Sequence, residues 1–97
     1  MTVYIRLITF TEKGSEGIKD FPKVRKEFLT KAKELGIKVQ ATYITLGRYD
    51  MVTILDAPDE KTLLKLETTF IGPKGRTRVE TLTALSAEEF EKVVMPA

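Results

Sequence analysis

Arg6 is the residue whose type and position most demand a chemical explanation. It lies in Thr2–Phe10, an alternating stretch rich in β-branched and aromatic residues that predicts a strand. Tyr4, Ile8 and Phe10 share its side of that strand, because successive side chains point to opposite faces. A guanidinium therefore interrupts an otherwise apolar face. A desolvated cation without a partner is costly, so Arg6 needs a carboxylate from the protein or from a ligand. Glu80 is the expected partner, since the first and last strands should be antiparallel neighbours. Tyr49 and Asp50 form a second candidate site. The phenol could polarise a carbonyl, and the carboxylate could hold a ligand amine or act as a base. Each also has a structural role open to it, face packing for Tyr49 and acceptance of backbone N–H groups for Asp50. Gly72–Arg76 could cradle an anion with backbone N–H groups and two cations, but it reads first as a flexible basic loop.

What is missing narrows the chemistry further. The 97 residues include no Cys, no His and no Trp. Zinc, copper, haem and iron–sulfur centres lose their usual ligands, and no metal or cofactor is expected. Ser-His-Asp and Cys-His nucleophile systems are excluded. Asp56, Asp59 and Glu60 are the nearest approach to a carboxylate cluster, without the spacing of a calcium loop. Neither a GxxxxGK[ST] loop nor a GxGxxG turn is present.

Charge argues against a nucleic-acid partner. The net charge is only +2, with residues 1–48 at +5 and residues 49–97 at −3. The densest basic run, Lys23 to Lys33, is diluted by Glu27, and Glu27–Lys31 is an i,i+4 helix pair. Apolar residues make up 42% of the chain, ordinary for one soluble domain covering residues 1–97. No apolar run approaches the ~20 residues of a membrane span. Met1–Arg6 lacks the basic, apolar, small order of a secretory leader, so the expected location is the cytoplasm.

The elements that must carry these residues follow from periodicity and turn chemistry. After the first strand, Thr11–Lys19 is expected as a loop. Pro22 suits a first helical turn with Asp20 as its cap, and Val24, Phe28, Ala32 and Leu35 make one apolar stripe. Gly36 supplies the stop. Strands follow at Lys38–Leu46 and Tyr49–Asp56, joined by a tight turn at Gly47-Arg48. Asp59 caps a second helix with Leu63, Leu66 and Phe70 on its apolar side. Arg76–Leu85 is a fourth strand. Ser86 and Glu89 form a capping box for a short last helix that Pro96 ends. The order β-α-β-β-α-β is that of an α+β ferredoxin-like plait with an extra C-terminal helix.

The hairpin predicts the pairs Leu46–Tyr49, Ile44–Met51, Tyr43–Val52, Thr42–Thr53 and Ala41–Ile54. Two sets result. Val39, Ala41, Tyr43, Val52 and Ile54, with Val3, Ile5 and Leu7, are nearly all apolar and are expected beneath the helices. Gln40, Thr42, Ile44, Leu46, Tyr49, Met51, Thr53 and Leu55, with Tyr4, Arg6, Ile8 and Phe10, are expected on the open face. That face is still apolar enough to mark an interface or a ligand groove. A second copy of the chain is its expected partner.

Thr45-Leu46-Gly47-Arg48-Tyr49-Asp50, continuing through Met51 to Ala57-Pro58-Asp59, resembles the GYD family, named for a Gly-x-Tyr-Asp-like hairpin. Tyr4-Ile5, Ile18-Lys19-Asp20 with Pro22, and Arg78, Glu80-Thr81-Leu82 and Ala84 extend the resemblance over most of the chain. Phe21 departs from it, standing where a small capping residue is expected. The hairpin is also similar to that of the effector-binding domain of Lrp/AsnC-type regulators, which bind amino acids at oligomer interfaces. The architecture resembles the dimeric α+β barrels, a group that includes small enzymes. These resemblances imply a homo-oligomeric, small-ligand-binding or sensing module of dimeric α+β barrel type. Its ligand would be small and anionic or amino-acid-like, with Arg6, Tyr49, Asp50 and Glu80 as candidate contacts. The alternative is a small enzyme in which Arg6 and Tyr49 polarise an anionic or carbonyl substrate and Asp50 serves as base.

Overall fold

A computed structural model describes residues 1–96. The elements are β1 (Thr2–Phe10), α1 (Glu12–Glu16), α2 (Phe21–Glu34), β2 (Lys38–Ile44), β3 (Met51–Ala57), α3 (Glu60–Leu66), α4 (Gly72–Lys74), β4 (Thr77–Ala84) and α5 (Ala87–Val94). A 3-10 turn at Ile18–Asp20 leads into α2, and a π-helical turn at Glu67–Ile71 joins α3 to α4. The strands form one antiparallel sheet in the order β2-β3-β1-β4. This small α+β fold is compatible with a ferredoxin-like plait.

Local chemistry explains most boundaries. The Asp59 carboxylate accepts from the Thr62 N–H at 2.8 Å and from its hydroxyl at 2.7 Å, which starts α3. These bonds hold the Asp59 carboxyl below its ordinary range. Ser86 Oγ accepts from the Glu89 N–H at 3.1 Å and starts α5. Asp20 precedes α2, but its side chain caps nothing, while Pro22 sits in the first turn as expected. The stretch predicted as a loop after β1 contains a helix. Thr11 Oγ1 accepts from the Gly14 N–H at 3.2 Å and nucleates α1. Gly14 is buried there against the chain leading into β4, where a Cβ would lie 2.1 Å from the Arg76 carbonyl oxygen. Only glycine permits that approach.

The β2–β3 register is the one the turn predicts: Ala41 opposes Ile54, Thr42 Thr53, Tyr43 Val52 and Ile44 Met51. The ladder ends with the Thr45 N–H donating to the Asp50 carbonyl at 2.9 Å, so Leu46–Tyr49 form the loop. Gly47 has φ +116°, a conformation that a side chain would strain. At the other end a bulge at Gln40 restarts the pairing with Val39 opposite Leu55. That shift turns Val39 toward the core.

The face assignment is inverted relative to the sequence expectation. Tyr4, Arg6 and Ile8 of β1 and Thr53, Leu55 and Ala57 of β3 are buried. They lie beneath the helices, where Tyr4, Leu55 and Ala57 meet Ala32, Ile37, Leu63 and Leu66. Val3, Ile5, Leu7, Val52 and Ile54 form the open face and are only half-buried. Alternation separates the two sets but cannot say which is inside when both are apolar. Crossover handedness decides it, because right-handed connections can place their helices on only one side of the sheet. Phe90, Val93 and Val94 of α5 are each more than half exposed, so this helix does not seal the open face.

Candidate functional site

Between the sheet and the helix layer lies a cavity of about 100 Å³. Arg6, Thr53 and Ile8 form its buried floor. Phe28 and Val24 of α2 line one wall, and Phe70 and Ile71 of the π-helical turn line another. Exposed Arg25 belongs to the same lining, so the cavity reaches solvent on that side.

Arg6 is 2% exposed. Its Nη2 donates to Glu67 Oε1 at 2.5 Å, a charge-assisted bond from β1 to the π-helical turn. Its Nε–H has no partner. Burial pushes the guanidinium below its ordinary range, and the charge and hydrogen bond of Glu67 push it back. The carboxylate that Arg6 requires is therefore present, but it is Glu67 and not Glu80. Glu80 opposes Leu7, and Arg6 opposes Thr81, so Arg6 and Glu80 project from opposite faces. The expected Arg6–Glu80 pair is excluded by one residue of register.

The cavity surface is mostly apolar, and the charged residues that contribute to it are all cationic. Arg6, Arg25, Lys74 and Arg76 all contribute to its lining, and none of its described lining residues is acidic. Lys74 Nζ lies 3.5 Å from Glu27 Oε2 and 4.6 Å above the Phe70 ring, tying the end of the α3–α4 segment to α2. Gly72–Lys74, expected as part of a flexible loop, is a helical turn. The Thr11 N–H donates to the Arg76 carbonyl at 3.0 Å and the Thr11 hydroxyl to the Gly75 carbonyl at 2.7 Å, which anchors the following segment.

Tyr49 and Glu80 meet on the opposite side of the sheet. The Tyr49 hydroxyl donates to Glu80 Oε2 at 2.8 Å. This bond, more than any other effect, raises the phenol above its ordinary range. Asp50 performs the structural role. Its Oδ2 accepts from the Phe10 N–H at 2.8 Å, and its own N–H donates to the Ile8 carbonyl at 2.9 Å. The loop is thereby clipped to the end of β1. Of the four predicted residues, the fold brings Tyr49 and Glu80 together and leaves Arg6 on the other face. The expected polarising pair of Arg6 and Tyr49 does not share a site.

Glu67, Phe70, Ile71 and Lys74 are the contributors that sequence reasoning missed as a set. Glu67 follows Leu63 by one helical turn, and that spacing puts a carboxylate on the sheet-facing side of the segment. The π-helical geometry, which often marks functional positions, has no signature in residue type.

The small α+β fold thus carries a cavity with four cationic residues in its lining on the helix side of the sheet and an apolar face on the other. The GYD domain matches residues 4–94, and the chain belongs to that family. It is 30% identical over 86 residues to the glutamine synthetase and cystathionine beta-lyase binding protein of Thermus thermophilus, covering 88% of this chain and 90% of that one. Among solved structures, FFRP-DM1 superposes with a TM-score of 0.61 at 17% identity over 88% of this chain and all of that one. The hypothetical protein PHS023 from Pyrococcus horikoshii gives 0.60 at 17% identity, over 89% of this chain and 92% of its own. TTHA0845 from Thermus thermophilus gives 0.52 at 25% identity, over 90% and 96%. The two likenesses at 17% identity concern the fold alone. No helix among the described residues is long and apolar enough to cross a membrane.

Proposed function

We propose that this protein is a homo-oligomeric binding module with a regulatory role, built by pairing open sheet faces in a dimeric α+β barrel-type assembly. The observation that carries this reading is the open face itself. Val3, Ile5, Leu7, Val52 and Ile54 are half-buried side chains in the middle of a sheet that no helix covers. Tyr43 and Leu82 extend the patch at its edges and are more exposed. Four strands ~4.8 Å apart and about five residues long cover several hundred Å². With the apolar side of α5 added, that approaches the ~800 Å² per partner of a standard interface. A patch of this size on a monomer is an interaction surface.

The relative from Thermus thermophilus is named for the enzymes it binds. By extension, this chain acts by contact with protein partners, and a small ligand in each subunit would modulate that contact. Native mass spectrometry of freshly purified protein tests the reading. The expected species is an even-numbered oligomer, and a monomer at micromolar concentration would overturn it.

A further inference from the structure

We infer that the helix-side cavity is a binding site for a small monocarboxylate with a compact apolar body. This deepens the binding-module reading by assigning the ligand. Three independent features converge on it.

The first is a donor without an acceptor. Arg6 is almost wholly buried, and its Nη2 is taken by Glu67, yet its Nε–H is unpartnered on a residue that lines the cavity. Buried N–H groups without partners are rare, and an exception calls for an unseen acceptor. A carboxylate oxygen is the strongest acceptor for a guanidinium.

The second is the charge balance. Four cations, Arg6, Arg25, Lys74 and Arg76, line the cavity. Glu67 and Glu27 are bonded to two of them from outside the lining. The surplus favours an anion over a neutral or cationic guest, and partial burial weakens the screening that would erase the preference.

The third is shape. Ile8, Phe28, Met51, Phe70, Ile71 and Val79 line the same cavity as Arg6 and make its surface mostly apolar. A phosphate or sulfate, charged all round, would be desolvated against these side chains at a high cost. A short alkyl chain would be favoured there. The volume of about 100 Å³ is smaller than the ~150 Å³ apolar cavity that accepts benzene, which limits the guest to short, branched acids. Thr42, Thr53 and Thr77 also belong to the lining, and a hydroxyl turned inward would donate to the second carboxylate oxygen.

The test is an NMR titration of the intact protein with isobutyrate and isovalerate, using isobutyramide and isobutylamine as controls. Saturable shifts of the Ile8, Met51, Ile71 and Val79 methyl groups are expected with the acids. The amide should bind at least about tenfold more weakly, and the amine not at all. Arg6→Met should abolish binding. Should that variant fail to fold, Arg25→Gln, at the exposed rim, should weaken the acids several-fold and flatten their salt dependence. Val24→Phe, which fills the cavity, should remove the shifts while retaining the fold. Acids that leave the methyl groups unmoved at millimolar concentration would mean that the Nε–H is satisfied by water, and would overturn the inference. Equal binding of acid and amide would overturn it too, as would unchanged affinity in Arg25→Gln. Subunit mass measured on the same samples separates the two readings. An oligomer that ignores the acids sinks only the ligand assignment, and a monomer that binds them sinks only the assembly.

Discussion

Arg6 and Glu67 are 61 residues apart in the chain, and the bond between them crosses from the central strand to the π-helical turn. It is the side-chain contact that ties the floor of the cavity to its wall. Removing either partner should destabilise the fold. Glu67→Gln leaves a desolvated guanidinium with a weaker acceptor, and should cost about 1–3 kcal/mol. Arg6→Met should cost less than a cavity-forming truncation, because the freed Glu67 is partly exposed and can be hydrated. The double variant should be more stable than the sum of the two singles predicts. Urea denaturation of the four proteins measures the coupling, and a value below about 0.5 kcal/mol would refute it.

The open face predicts where a charge breaks the assembly. Ile54 opposes Ile5 and Ala41 in the middle of that face. Ile54→Lys should dissociate the oligomer, since an interfacial ammonium cannot be hydrated there. Ile44 belongs to the opposite set and is 63% exposed at the sheet edge. Ile44→Lys should leave the subunit count unchanged. Light scattering distinguishes the two, and the reverse ranking would mean that the helix-side face forms the contact.

Core truncations should rank by the observed face. Leu55 is fully buried beneath the helices, and Leu55→Ala should cost about 2–5 kcal/mol. Val52 is only half-buried, and Val52→Ala should cost clearly less within one subunit. Denaturation midpoints at low protein concentration check the order.

The Tyr49–Glu80 hydrogen bond predicts a pH dependence. The phenol is raised by an acceptor that favours its protonated form, so the folded state holds that proton more tightly than the unfolded chain. The stabilisation is fully present below the ordinary phenol range, about pH 10, and is lost as pH rises through the raised value. Glu80→Gln should bring the titration back toward the ordinary range. Carbon-13 chemical shifts of the Tyr49 ring follow it directly, and a titration indifferent to Glu80→Gln would contradict the assigned bond.

Much of this fold was legible in residue order. The four strands, both crossover helices, the Asp59 and Ser86 caps and the central hairpin register all follow from alternation, helical periodicity and turn chemistry. Those are local properties, set by residues a few positions apart. The helix α1 was missed because two glycines in the nine residues Thr11–Lys19 resemble a loop. One of them, Gly14, is there for its close contact with the Arg76 carbonyl, and that contact exists only in the folded chain.

The sequence by itself determined that Arg6 needs a carboxylate, and that two apolar sets alternate along the sheet. Only the tertiary structure decided which carboxylate and which set is inside. The inside set depends on the hand of the crossovers, a property of how distant segments pass over one another, while the β1–β4 register, with Thr81 opposite Arg6, rules out Glu80. Tyr4 and Leu55 are no more apolar than Ile5 and Ile54, so composition could not select between the faces. Once the helices settle over Tyr4, Arg6 and Leu55, Glu67 comes into reach of Arg6. The same choice encloses the cationic cavity and leaves the other apolar face uncovered.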